Sequence, residues 1–226
     1  MSNVITDPNA VVDGETLTQW VENWYRWADP SPGPILPTPN NYDAFYDPIG
    51  VFAAALNFGS RPMYFITQQF GPNPSPDRTF YVPDGESVLV PISGVTDSEG
   101  PNITPTLDGF TGTYAQEVNT VLNAYSFTNG SYTLDGGPPK SLSVMDTGIF
   151  DAGFAPKQSA GAAFFGVTSP PTELSTTGDK GYWLALDDLS PGTHTIHATG
   201  DVTSSGSTTP FSVTDTIVVE PGFRAA

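Results

Sequence analysis

Two periodicities divide this chain. Between residues 16 and 28, Leu17, Trp20, Val21, Trp24, Trp27 and Ala28 recur at helical spacing, while Gln19, Glu22, Asn23 and Arg26 fall on the opposite side. The pattern predicts an amphipathic helix. Thr16 with Gln19 three residues on reads as a capping box, and Asp29-Pro30 supplies the stop, because proline disfavours helix at the residue before it. Three of the protein's four tryptophans sit on this segment. Their stripe could present indole faces to sugar rings, but apolar stripes at this spacing are normally the buried face of a helix packed on a sheet. A second helix is expected over 114–125, where Tyr114, Val118, Val121, Leu122 and Tyr125 share a face and Thr113 with Gln116 repeats the cap.

The rest of the chain reads as short strands bounded by Gly, Pro and Asn: 49–56, 63–68, 79–82, 87–92, 141–145, 162–167, 181–186, 193–199 and 211–219. Asn129-Gly130 between 125–128 and 131–134 predicts a tight hairpin, since both central positions of a type I′ turn need positive φ. Residues 29–39 hold five prolines and predict an extended strap. The expected architecture is mainly β: an antiparallel β-sandwich, jelly-roll or immunoglobulin-like, with one or two packed helices. Residues 1–14 form an extended arm carrying Val4-Ile5 and Val11-Val12, and 15–226 form one sandwich domain containing the 16–28 helix.

Charge narrows the partners. Seven basic against 24 acidic residues give a net charge of -17, a surface that repels phosphate backbones and anionic lipid, so no nucleic acid is expected. No run of 18 apolar residues exists, so no membrane insertion is expected either. The N-terminus lacks the basic start and apolar core of a secretion signal, which leaves a signal-independent route or a signal already removed. Zero cysteines excludes disulfides and thiolate chemistry. Stability must come from burying the 14 Phe, 9 Tyr and 4 Trp.

Candidate chemistry is sparse. Acidic pairs at Asp84/Glu86, Asp97/Glu99 and Asp187/Asp188 could hold a structural calcium, but none matches an Asp-x-Asp-x-Asp-Gly loop, and solvated loop carboxylates are the default. No dedicated metal site or cofactor is expected beyond that. His194 and His197, the only histidines, lie three apart on an expected strand and so face opposite ways, unable to chelate one zinc. No nucleophile elbow or phosphate loop is present, and no catalytic residue is assigned. A glycosidase pair of carboxylates or a Tyr/His/Arg lyase site stays open, because such residues converge only in three dimensions. For glycan contact the candidates are Tyr42, Phe45 and Tyr46, aromatics flanked by turn residues in Asn40–Asp47, although aromatics covering the core from a loop would look the same. In the C-terminal pair of strands, flanking an expected loop over 201–210, symmetric pairing sets Asp215 opposite Ile196 and His194 opposite Ile217. The two are then same-face diagonal neighbours and could hydrogen-bond.

The stretch Gly181–Gly200, with its Leu189-Ser-Pro-Gly-Thr-His-Thr-Ile196 turn and strand, resembles the last strands of immunoglobulin-like and related secreted β-sandwich domains. Together with the Trp-x-x-x-Trp-x-x-Trp helix and Arg78–Gly85, the chain is similar to a group of uncharacterised bacterial secreted proteins. The resemblance implies a fold and an extracellular or cell-surface location, and carries no catalytic motif. The expected function is that of a non-catalytic surface protein, an assembly subunit or adhesin that self-associates. The alternatives are a polysaccharide-binding module and a carbohydrate-active enzyme.

Overall fold

The computed structural model describes residues 3–30, 57, 62–67, 77–103, 105–156, 159–165, 167, 172–174 and 176–221. Within them the protein is mainly β, two five-stranded sheets packed face to face with helices on the outside. The first sheet contains β1 (Asn3–Ile5), β4 (Met63–Phe65), β6 (Ser87–Glu99), β9 (Val144–Phe150) and β12 (Thr176–Asp187). The second contains β5 (Asp77–Pro83), β7 (Tyr125–Leu134), β8 (Lys140–Ser141), β13 (Gly192–Ser204) and β14 (Ser207–Glu220). Their orders are β1-β12-β6-β4, with β9 also on β12, and β5-β14-β13-β7-β8. Most pairings are antiparallel as expected, but β4 joins β6 and β5 joins β14 in parallel. Two short ribbons, β2 (Val11–Val12) with β3 (Glu15–Thr16) and β10 (Phe154–Ala155) with β11 (Thr172–Glu173), complete the strands.

Alternation along the first sheet builds two cores. Val88, Val90, Ile92, Tyr182, Leu184 and Leu186 face the second sheet and meet Phe80, Val82, Ile196, Ala198, Ile217 and Val219. The intervening Leu89, Trp183 and Ala185 face the other way, beneath helix α1 (Leu17–Ala28). A sheet covered on both faces explains why β12 is buried almost throughout instead of alternating with polar residues.

α1 has the capping box that its sequence predicts: Thr16 Oγ1 accepts from the Gln19 N–H (3.2 Å), and Gln19 Oε1 accepts from the Thr16 N–H (2.9 Å). Trp20, Trp24 and Trp27 are buried with the rest of the stripe. Trp24 meets Trp183 edge-on at 5.5 Å and donates its indole N–H to the Ile66 carbonyl (2.7 Å). α2 (Tyr114–Asn123) carries the second capping box, with Val118, Val121 and Leu122 buried. It is shorter than expected: Ala124 caps it, Tyr125 already begins β7, and Tyr114 is exposed. Gly178 lies under this helix, where a Cβ would come within 2.9 Å of Val118 and Leu122.

Three expectations are corrected. Asn129-Gly130 is no hairpin turn, for β7 runs straight through it alongside β13. Asn129 takes the left-handed conformation (φ 56°), and the register shift makes Asn129 and Gly130 together oppose Gly200, a β-bulge. The Tyr182 ring fills the space of the missing Gly130 side chain, 2.4 Å from where a Cβ would stand. Of the strand expected over 162–167, residues 162–164 are helical instead: Ser159 caps the short helix α3 (Ala160–Phe164), its hydroxyl accepting from the Ala162 N–H (3.1 Å). Residues 201–210 are not a loop but continued β-ladder, closed by the left-handed pair Ser205-Gly206. The expected strand 49–56 and most of the proline-rich strap lie outside the described residues.

Candidate functional site

The N-terminal arm is a strand of the first sheet. β1 pairs antiparallel with the end of β12, Asn3 with Asp187, Val4 with Leu186 and Ile5 with Ala185. Successive side chains in a strand point oppositely, so Val4 packs toward the inter-sheet core and Ile5 toward the core beneath α1. Among the described residues three pairs hold it to β12, whose same edge is filled farther back by β9. From β1 the chain turns at Asp7-Pro8-Asn9 and passes through the β2–β3 ribbon straight into α1, with the Leu17 N–H on the Ala10 carbonyl (2.9 Å) and the Thr18 hydroxyl on the Pro8 carbonyl (3.0 Å).

Polar groups meet mostly in the interior. Asp179, fully buried beneath α1, accepts from the Tyr25 hydroxyl and from the Trp183 indole, each at 2.7 Å. Burial pushes the Asp179 carboxyl up to about 7 despite these donors, and burial with the Asp179 charge raises the Tyr25 phenol. Asp29, at the C-terminus of α1, is also fully buried, with both carboxylate oxygens unpartnered, and burial raises its pKa well above the ordinary value. Neither Tyr25 nor Asp179 was singled out from sequence, although Tyr25 falls on the Val21–Ala28 side of the helix and a phenol there needs a buried acceptor.

The proposed His194–Asp215 bond does not form. The register is as expected, His194 opposite Ile217 and Ile196 opposite Asp215. Asp215, however, is completely buried and takes a bidentate bond from Arg78, Nε to Oδ1 and Nη2 to Oδ2, both 2.6 Å. A guanidinium matches a carboxylate with two parallel donors, which an imidazole cannot do. Arg78 also donates to the Thr67 and Pro91 carbonyls, bridging the sheets. His194 turns instead to Asp135 Oδ2 (2.8 Å) and the Ser190 carbonyl (2.8 Å). Desolvation lowers its pKa, but the Asp135 hydrogen bond, the Ser190 carbonyl and the Asp135 charge outweigh that and raise it; two acceptors on one ring suit the imidazolium. His197 is exposed on the opposite face.

Asp97 and Glu99 are not loop carboxylates. They lie on β6, buried, and Glu117 of α2 joins them. Thr106 donates its hydroxyl to Asp97 Oδ1 (2.6 Å) and its N–H to Glu99 Oε1 (2.9 Å), while the Leu107 N–H goes to Glu117 Oε1 (3.0 Å). Burial raises both strand carboxylates, Glu99 to about 6, with the neighbouring acidic charges adding and the Thr106 bonds opposing. Asp187 meets a different carboxylate: the Ser87 hydroxyl lies 2.7 Å from Asp13 Oδ2 and 3.2 Å from Asp187 Oδ1.

Tyr42, Phe45 and Tyr46 lie outside the described residues. A separate open cleft of about 280 Å³ is lined by Trp20, Asn23, Arg26, Trp27, Pro62 and Phe65. Arg26 is tethered there to the Asp151 carbonyl, Asn23 and Glu22 at 2.9 to 3.0 Å. No helix among the described residues is long and apolar enough to cross a membrane.

No family model matches the chain, and no curated protein matches it. Among solved structures, the solution structure of Amebosin is similar at 13% identity over 63% of this chain and 89% of that one. Its TM-score of 0.22 is too low for the likeness to bear on fold or function.

Proposed function

We propose that this chain is a non-catalytic extracellular or cell-surface protein, an assembly subunit or adhesin that works by self-association through a sheet edge. The observation that carries the reading is β1. It is a short strand, added to the β12 edge through three residue pairs and followed by a turn at Asp7-Pro8-Asn9. A strand so attached can be donated equally well to the same edge of a second copy, because the main-chain bonds and the Val4 and Ile5 pockets are identical there. The strongly acidic, lysine-poor composition is in keeping with a location outside the cell. Light scattering on the full chain should show concentration-dependent oligomers, and a variant lacking residues 1–5 should be a folded monomer. A full chain that stays monomeric at every concentration, or oligomers unchanged by the deletion, would refute strand donation.

The Trp20–Trp27 cleft favours a second reading, a polysaccharide-binding module, in which the indole edges meet sugar C–H groups and Asn23 and Arg26 meet hydroxyls. Retardation in gels containing soluble polysaccharides, lost on Asn23→Ala, would select this reading.

A further inference from the structure

The carboxylates at the far end of β6 are built around one short segment. Asp97 and Glu99, two apart on a strand, share a face, and Glu117 approaches from α2. Each uses one oxygen to hold Thr106 or Leu107. The second oxygens of the strand pair, Asp97 Oδ2 and Glu99 Oε2, are buried without any hydrogen-bond partner, in residues left only 4% and 1% exposed. Among the described residues no ion pair connects any of the three to Lys, Arg or His. The cluster therefore combines like charges, low exposure and two free acceptors, an arrangement that is costly until something neutralises it. A hard cation satisfies all three conditions at once, since calcium takes six to eight oxygens and accepts irregular mixtures of carboxylate, main-chain carbonyl and water.

We propose that Asp97 and Glu99 bind a divalent cation of the calcium class through Asp97 Oδ2 and Glu99 Oε2. Glu117 contributes charge from across the Thr106–Leu107 clip, without direct ligation. No group of three or more His, Cys, Asp or Glu among the described residues is spaced to hold one ion directly, so the remaining ligands of such an ion would have to be main-chain carbonyls and water. Oxygen-only ligands and an irregular shell favour Ca²⁺ over Zn²⁺ and over the strict octahedron of Mg²⁺. The bound ion offsets the repulsion among the carboxylates whose other oxygens hold Thr106 and Leu107 between β6 and α2.

The test is thermal unfolding of the full chain after treatment with chelator, with CaCl₂ or MgCl₂ added back, for the native protein and for Asp97→Asn and Glu99→Gln. Each amide keeps the oxygen that accepts from Thr106 and relieves a repulsion, so both variants should fold. Calcium at a hundredfold excess over its Kd should raise the native Tm by roughly 5 to 10 °C, magnesium should raise it less, and both variants should lose the calcium response. A native Tm indifferent to calcium, with Glu99→Gln more stable than the native chain, would show that protons neutralise the cluster and would overturn the proposal. A calcium shift that persists in both variants would place the ion elsewhere and overturn it as well.

Discussion

Acidification from neutral pH should stabilise this protein, and Asp179 should account for much of the effect. Its carboxyl is completely buried, receives the Tyr25 hydroxyl and the Trp183 indole, and forms no ion pair among the described residues. Burial pushes its pKa up to about 7 from 3.8. Between those values the folded chain holds a proton that the unfolded chain has released, so the folded state binds more protons and stability falls as pH rises. Below the lower value both states are protonated and the penalty vanishes; above the upper one both are ionised and it is complete. At 1.36 kcal/mol per pH unit the complete penalty is about 4 kcal/mol, an order-of-magnitude figure. Asp29, raised by burial, acts in the same direction, and so does His194, whose raised pKa lends stability below its unfolded value that is lost as pH climbs past its folded one. Urea midpoints measured between about pH 5 and pH 8 would read the slope. In Asp179→Asn the amide oxygen still accepts from Trp183, and the amide N–H can donate to the Tyr25 oxygen, so the site keeps both bonds while losing the titration. The variant should therefore show a flatter profile and exceed the native chain above neutral pH. A native midpoint that rises with pH, or an Asp179→Asn slope equal to the native one, would refute the reasoning.

Trp24→Ala should cost about 3 to 5 kcal/mol, because it removes a fully buried indole and the donor to the Ile66 carbonyl; an unchanged chemical-denaturation midpoint would contradict the packing. Arg78→Met should cost about 3 to 5 kcal/mol by stranding Asp215, whereas Arg78→Met with Asp215→Leu should recover most of that loss, and a double-mutant cycle without coupling would argue against the buried pair. Asp135→Ala removes the hydrogen bond and the charge that, together with the Ser190 carbonyl, raise His194, so the histidine C2–H titration should move to lower pH; an unmoved titration would mean that Asp135 does not set it.

Features whose cause lies within a few residues are legible in the sequence alone. Both capping boxes, the buried tryptophan stripe and the β13–β14 register follow from local spacing, since a helix repeats within four residues and a hairpin register needs only its own two strands. Where a distant partner decides, the same local signals misled. Asn129-Gly130 has the dihedral freedom of a hairpin turn, but thirteen-residue β13 offers pairing on both sides of it, so Asn129 uses its left-handed conformation for a bulge. Asp97 and Glu99 look like loop acids until pairing with β12 extends β6 through them. The run 162–167 is too short for periodicity to separate strand from helix, and the deciding residue, Ser159, stands outside it.

The same division explains why the charge partners could not be assigned. That Asp215 needed a partner followed from an acid interrupting an apolar row, but the expected and the actual partner differ in reach: His194 lies diagonal in the same hairpin, and Arg78 is 137 residues away in sequence. Sequence proximity favoured the histidine. The parallel addition of β5 to β14, which sets Arg78 directly beside Asp215, reversed that choice. Tyr25 and Asp179 stand 154 residues apart and meet only because α1 lies across β12. Long-range strand placement thus fixes which carboxylates are paired by a cation and which are left to protons or a bound ion. In this acidic chain that distribution, more than any local motif, determines how stability responds to its surroundings.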